Sequence, residues 1–482
     1  MYNHFTNKSD ILTSSIKNFA KDFNISENLG KCGGKKAKGI PVMHVFFYLF
    51  DLIFRGMTLN RDQAKNLHAD SKHKIKTDTC HRFLQSMATD WNKFLALISK
   101  RMMELLSPYR PKDCEGKSIP LMYVLDDSSF YRDRSKRVEL LARNWDHALH
   151  RNFKGFRMLS MCITDGKTIS PVAFCNMSSA SKDNRINQAR KIDDKHNDSF
   201  GARIRNTAQK PMTEALLELL DVGIKEGLQA EYVLCDRWFS SPKTIFSILN
   251  KDLHVITMLK NNKTGYMFRG KKSTLNNIFK VLVAEDRILR RKEHKNGGYT
   301  FKERGYMYST EVEIISSDDH SITRTVKLIF VQNKNKKSEF LTLLSTDTTL
   351  SERQVIERFG SRWAIEVMFQ TLKSFLNLQK TTQSIDYTEI HASTAIAMLQ
   401  FQMLSYSKRL NSDEASYGEL FLCLLEEVQD TAFLNMFEML LLEFCNHLAE
   451  HCHLPLDVLL VQVDSFMKNL PEFIQRCLQK TA

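Results

Sequence analysis

Two hydrophobic periods alternate along this chain. Up to residue 110 the apolar positions recur every three or four residues, which predicts helices over 10–22, from Pro41 to about Gly56, over 58–69 and over 77–87. The stretch GKCGGKKAKG, 30–39, reads as a flexible basic linker between the first two. From 111 to 260 short apolar runs alternate with amphipathic stretches. Residues 121–125, 158–164, 169–174, 232–235 and 255–259 predict strands, with Asp165-Gly166 as a hairpin turn, and 211–225 and 241–250 predict helices. Residues 180–210 are polar, hold eight Lys and Arg, and read as an exposed loop facing a polyanion.

Beyond 260 the period of two dominates. YTFKERGYMYSTEVEII, 299–315, follows the turn signal Asn296-Gly297-Gly298, so 261–340 is expected to be a β-rich insertion. Residues 341–345 return to a core strand, and Ser351 with Gln354 forms a capping box for the next helix. From 386 to the end the pattern is helical and apolar, including MFEMLLLEF at 436–444, a tail suited to packing on the core or on a second copy. The predicted domains are 1–110 (helical), 111–260 with 341–385 (α/β core), 261–340 (insertion) and 386–482 (helical).

The chain has 482 residues, more than one ordinary domain, and is 43% hydrophobic, enough for sizeable cores. Its formal net charge of +14 favours a polyanionic partner. Residues 260–304 concentrate that charge, with thirteen Lys and Arg against four Asp and Glu. Ten cysteines without paired spacing read as reduced thiols, and the N-terminus carries no basic-then-apolar leader, so a cytoplasmic protein is expected. The apolar stretch 42–54 is too short to span a bilayer and contains Asp51, so no membrane role is expected. Cys445, His447, His451, Cys452 and His453 form a cluster better explained as a helix end than as a zinc site.

The chemistry concentrates in three places. FGSRWAIEVMFQTLK, 359–373, sets Phe359, Arg362, Glu366 and Lys373 at steps of three, four and seven, on one face of a helix. That face holds one carboxylate between two cations. The strand at 121–125 runs into Asp126, Asp127 and Ser128, and the strand at 232–235 runs into Asp236. Carboxylates at the ends of buried strands are costly unless paired or metal-bound. Brought together, they would need divalent cations, and an all-oxygen set suits magnesium or manganese. Such ions serve phosphodiester displacement.

These residues resemble the bacterial insertion-sequence transposases with a DDE active site, the group bearing the Tyr-Arg-Glu-Lys signature. The resemblance runs from about residue 120 to about 410 and rests on VLDDS (124–128), RSKRVELLARNWDHA (134–148), KGFRMLSMCITDG (154–166), VLCDRWFS (233–240), LLSTD (343–347) and the signature itself. It implies a ribonuclease-H-like α/β catalytic core and a cut-and-paste mechanism with two Mg2+ ions, for which Mn2+ can substitute. Asp126, Asp236 and Glu366 become the implied metal ligands. The family's Asp-any-Ser pattern fits Asp126 with Ser128 and equally Asp127 with Ser129. Arg362 and Lys373 would grip phosphates at the transposon end.

The signature tyrosine is Phe359 here, which leaves stacking but no hydroxyl. The tryptophan expected in the insertion is absent, with Tyr299, Phe301, Tyr306 and Tyr308 as substitutes for stacking a base or as hairpin packing. Lys260 follows a predicted strand and is placed to reach the mouth of the site. Residues 74–86 resemble the second helix of a helix-turn-helix, with Thr79, His81, Arg82 and Gln85 turned to a major groove or forming an ordinary amphipathic face. The implied partners are double-stranded DNA, as terminal inverted repeats and target, and a second copy of the chain on that DNA. The implied location is the nucleoid. Two other functions fit parts of the pattern: a metal-dependent nuclease without strand transfer, and a non-catalytic repressor derived from a transposase.

Overall fold

The computed structural model describes residues 14–410 apart from 37, 66–74, 147–148, 296–306, 318, 334–335, 337 and 381–382, and then 416–417, 419–421, 441, 444–449 and 455–469. The turn at 296–298, Tyr299, Phe301, Tyr306, most of 436–444, and His451, Cys452 and His453 lie outside these residues.

Six helices open the chain: α1 Ser14–Asp22, α2 Ile25–Lys31, α3 Val42–Asp51, α4 Leu59–Lys65, α5 Thr77–Leu84 and α6 Trp91–Leu105. Pro41 occupies the N-cap of α3, and the Asp90 side chain caps α6 by accepting from the Lys93 amide. Four strands follow, β1 Met122–Tyr131, β2 Ala142–Asp146, β3 Arg151–Thr164 and β4 Ile169–Met177, then α7 Phe200–Thr207, α8 Met212–Lys225, β5 Tyr232–Cys235, α9 Pro242–Leu249 and β6 His254–Met258. β3 and β4 form the expected hairpin. Gly166 adopts φ +95° in its turn, where a side chain would press on Ile119.

β1 is antiparallel to β3 and parallel to β5, which is parallel to β6. With β4 beyond β3, this is the mixed five-stranded core of a ribonuclease-H-like fold. Short parallel strands buried on both faces explain why YVLC, β5, is wholly apolar.

The region after β6 holds four strands and, in addition to them, a long helix. It contains β7 Gly265–Phe268 and β8 Lys271–Thr274, then a 21-residue helix, α10 Leu275–Lys295, and then β9 Met307–Ile315 and β10 Thr323–Gln332. The run LNNIFKVLVAEDRILRR keeps helical spacing inside the basic stretch, a period the charge had obscured. The strands do not form a separate sheet. They continue the core sheet through β11 Phe340–Ser345, antiparallel to β6. Tyr308 packs against Phe279 of α10, ring centroids 5.7 Å apart.

The N-terminal helices share one hydrophobic core with the sheet. Asn92 of α6 donates to the Phe174 carbonyl of β4 at 3.0 Å and accepts from its amide at 3.2 Å. Across α6 runs α13, Tyr387–Leu410, whose residues up to Ser405 are almost all buried. Gln402 joins α13 to both, donating to Ser99 Oγ and to the Pro171 carbonyl. Further along the chain is one more helix, α14 Leu456–Lys468.

The signature does not lie on one uninterrupted helix. Helix α11 spans Glu352–Gly360 behind the Ser351–Gln354 capping box, and α12 spans Trp363–Ser374. Between them the amides of Arg362 and Ile365 bond three residues back instead of four. Gly360 and Ser361 explain the break, since a Gly-Ser pair is a weak point in a helix.

Candidate active site

The site forms where β5 ends beside β1. Leu125 and Cys235 are the last paired positions of the two parallel strands, so Asp126 and Asp236 are the next residue on each. β1 itself does not stop there. It continues to Tyr131 against β3, so Asp126 and Asp127 are mid-strand residues beside the end of β5, and not a strand-end turn. The pleat then sends them to opposite faces.

Helix α12 packs on the Asp126 face. Arg362, at its N-cap, donates from Nη1 to Asp126 Oδ2 at 2.6 Å and from Nη2 to Glu366 Oε1 at 2.8 Å. One guanidinium thus bridges two carboxylates 240 positions apart. Its central carbon lies 5.7 Å from the centroid of the Phe359 ring, a cation–π contact from the aromatic at the signature's first position. Two residues along β1, Ser128 accepts from Lys373 Nζ at 2.8 Å. Phe359, Arg362, Glu366 and Lys373 therefore do share one face despite the helix break.

Burial pushes the Asp126 carboxyl up to about 7, Arg362 opposes this, and the charges of Asp127 and Asp236 add to the rise. Asp236 is thus close enough to Asp126 to repel it. Burial also lowers the Lys373 ammonium. The side chain of Glu366 is 37% exposed against 16% for Asp126, so the bridged pair opens toward solvent on the Glu366 side.

On the other face Asp127 pairs with Arg157 of β3, whose Nη1 also donates to the Trp145 carbonyl at 3.1 Å. Ser129 and Tyr131 continue that face and both donate to Asp146 of β2. Arg157 and Asp146 were not singled out as functional in the sequence. Both lie within stretches that carried the resemblance, but only strand register brings them to Asp127.

Lys260 lies past the end of β6, its ammonium 4.8 Å from the ring of Trp238, two residues after Asp236. Trp238 is 55% exposed. His81 of α5 and Gln85 just after it point at α13 and not at an open groove: both bond Glu389, at 2.7 and 2.8 Å. Glu389 is buried and needs partners, a demand set 300 residues downstream of α5. Arg82 is exposed and pairs with Asp78 one turn earlier.

Among the described residues no three His, Cys, Asp or Glu side chains stand close enough together to hold a metal ion, and no helix is long and apolar enough to cross a membrane. At the carboxylates, Arg362 supplies the positive charge. The donor set still suits a hard divalent cation: all oxygen, with one carboxyl held above its usual range by burial and, to a lesser degree, by the charges of Asp127 and Asp236.

Residues 47–272 match the family model described as DDE superfamily endonuclease, and residues 192–399 match the one described as transposase DDE domain. No curated protein matches the chain. The first match takes in Asp126 and Asp127, the second Glu366, and both take in Asp236. The two matches overlap at residues 192–272, and a ribonuclease-H-like sheet with acidic residues beside the end of β5 is consistent with the DDE domain that each model describes.

Proposed function

We propose that this chain is an insertion-sequence transposase that binds the element's terminal inverted repeats, cuts the DNA beside them and transfers the freed strand to a target. The observation that carries the reading is the Arg362 bridge between Asp126 and Glu366, beside Asp236 on the adjacent strand. Asp126, Asp236 and Glu366 are the residues that would hold magnesium or manganese. When bound, the ions activate the attacking oxygen and stabilise the leaving one.

The chain's own residues do the rest. Arg362 leaves the carboxylates and takes a phosphate oxygen pair in its planar fork, with the Phe359 ring limiting where the guanidinium can move. Lys373, on Ser128, holds a neighbouring phosphate as a point charge. Lys260, just past β6 and against Trp238, adds a further cation for the backbone. Two copies bring both element ends together. The Tyr-Arg-Glu-Lys group suits the spacing from Arg362 to Lys373, with Phe359 as the departure.

The test is incubation of purified protein with DNA carrying the repeats that flank its own gene, with and without magnesium. Paired-end strand-transfer products are expected. Nicking without joining would make it a nuclease, and binding without nicking a repressor.

A further inference from the structure

A second basic surface lies beyond the carboxylates along β1, and it is assembled from two separated segments. Residues 134–143 and 182–191 are laced together. The Ile186 and Asn187 amides donate to the Leu141 carbonyl at 2.7 and 3.1 Å, and the Arg143 amide donates to the Asn184 carbonyl at 2.8 Å. Asn187 Nδ2 reaches the carbonyls of Lys136 and Val138. From beneath, buried Glu139 accepts from the Arg190 amide, from Arg205 at 2.7 and 2.9 Å, and from the Tyr387 amide. Glu139 and Arg205 are 1% and 4% exposed, so this is a rigid, paired foundation.

What the foundation displays is charge. Arg134, Lys136, Arg137, Arg143, Lys182 and Lys191 are exposed, and none is ion-paired to a described residue. The one exposed acid in the two stretches is Asp183. Holding like charges on a fixed surface is unfavourable unless a polyanion neutralises them. The surface also continues the site. Lys373 lies 6.0 Å from the ring of Tyr131, which donates to Asp146 of β2, and Arg143 is on β2. Tyr131 lies five residue steps along β1 from Asp126, roughly 17 Å at about 3.4 Å per step.

We infer that this ledge grips the phosphate backbone of the duplex flanking the element, starting about five base pairs from the scissile phosphate. Flanking DNA differs at every insertion, so it must be held through phosphates alone. Unpaired, exposed Lys and Arg with no side chain fixed for base reading suit that task. The inference rests on the transposase reading for which DNA is held, but on the ledge alone for the contact.

The test compares duplexes containing one terminal repeat, extended by two or by twenty base pairs on the flanking side, or by twenty on the element side only. The variant Lys136→Ala/Arg137→Ala/Lys182→Ala/Lys191→Ala is expected to bind the flank-extended duplex about a hundredfold more weakly near 150 mM salt. Its salt slope should fall by about 3 to 4. The other two duplexes should bind as to the parent protein. Lys136→Arg/Arg137→Lys/Lys182→Arg/Lys191→Arg keeps the charge and should keep the affinity. Equal loss on all three duplexes, loss in the charge-keeping variant, or no loss at all overturns the ledge. Parent protein that binds the long duplex but never nicks it with magnesium overturns the proposed function and leaves the ledge standing.

Discussion

Asp126 and Asp127 are neighbours on one strand and live in opposite electrostatic worlds. Asp126 shares its face with Asp236, Glu366 and a single guanidinium, and burial holds its carboxyl up to about 7. Asp127 has Arg157 to itself on the other face, inside a polar group with Ser129, Tyr131 and Asp146. The first arrangement has more negative charge than its cation can satisfy. In the second, Asp127 has a cation of its own in Arg157, and Asp146 is held by the hydroxyls of Ser129 and Tyr131. Excess unsatisfied charge is a cost that a binding site carries and a structural pair avoids.

The largest expected effect is on cleavage. Glu366→Gln and Asp126→Asn should each lower magnesium-dependent nicking by about a thousandfold or more while duplex binding stays within a few-fold, read by gel shift and nicking on one substrate. Asp127→Asn, if still folded, should retain far more activity. Equal losses at 126 and 127 in folded proteins would erase the contrast.

Stability should move in opposite directions at the two positions. The Asp126 carboxyl titrates near 4 in an unfolded chain and about 7 here. A raised acid is a penalty on folding that appears as pH climbs from about 4 to about 7 and persists above. Asp126→Asn should therefore stabilise the cation-free protein at pH 8, on the order of 2–4 kcal/mol, and change little at pH 4. Asp127→Asn strands Arg157 and should destabilise by about 3 kcal/mol at pH 8. Urea melts at the two pH values check both signs.

Arg362 is next in size. Its guanidinium sits where a divalent cation would be drawn, so Arg362→Ala should raise manganese affinity of the DNA-free protein about tenfold in calorimetric titration. It should weaken end binding by a similar factor. Unchanged manganese affinity would mean that the bridge does not compete with the cation. Lys373→Ala is the mildest, a few-fold loss of binding with the salt slope reduced by about 1.

Much of this was legible because it is local. The apolar runs ahead of Asp126 and Asp236, the Asp165-Gly166 turn and the Ser351–Gln354 box are short-range patterns, and each appears where its chemistry puts it. Helix α10 was hidden by its own basic charge, and the break at Gly360–Ser361 by a spacing that survives it. The N-terminal helices read as a separate unit because amphipathicity shows that a face is buried but not against what. Asn92 on β4 and His81 on Glu389 supply that answer, and cutting the chain before 111 would strip α6 from the sheet.

The order of residues along this chain determined which side chains are acidic, which elements carry them and which face of each element they occupy, since period and spacing are properties of the backbone alone. Tertiary structure decided the rest: that β5 ends level with Leu125, that α12 lies over one face of β1, and that Arg362 reaches two carboxylates. Those outcomes depend on strand register and helix docking, which arise from packing between segments hundreds of residues apart and have no local signature.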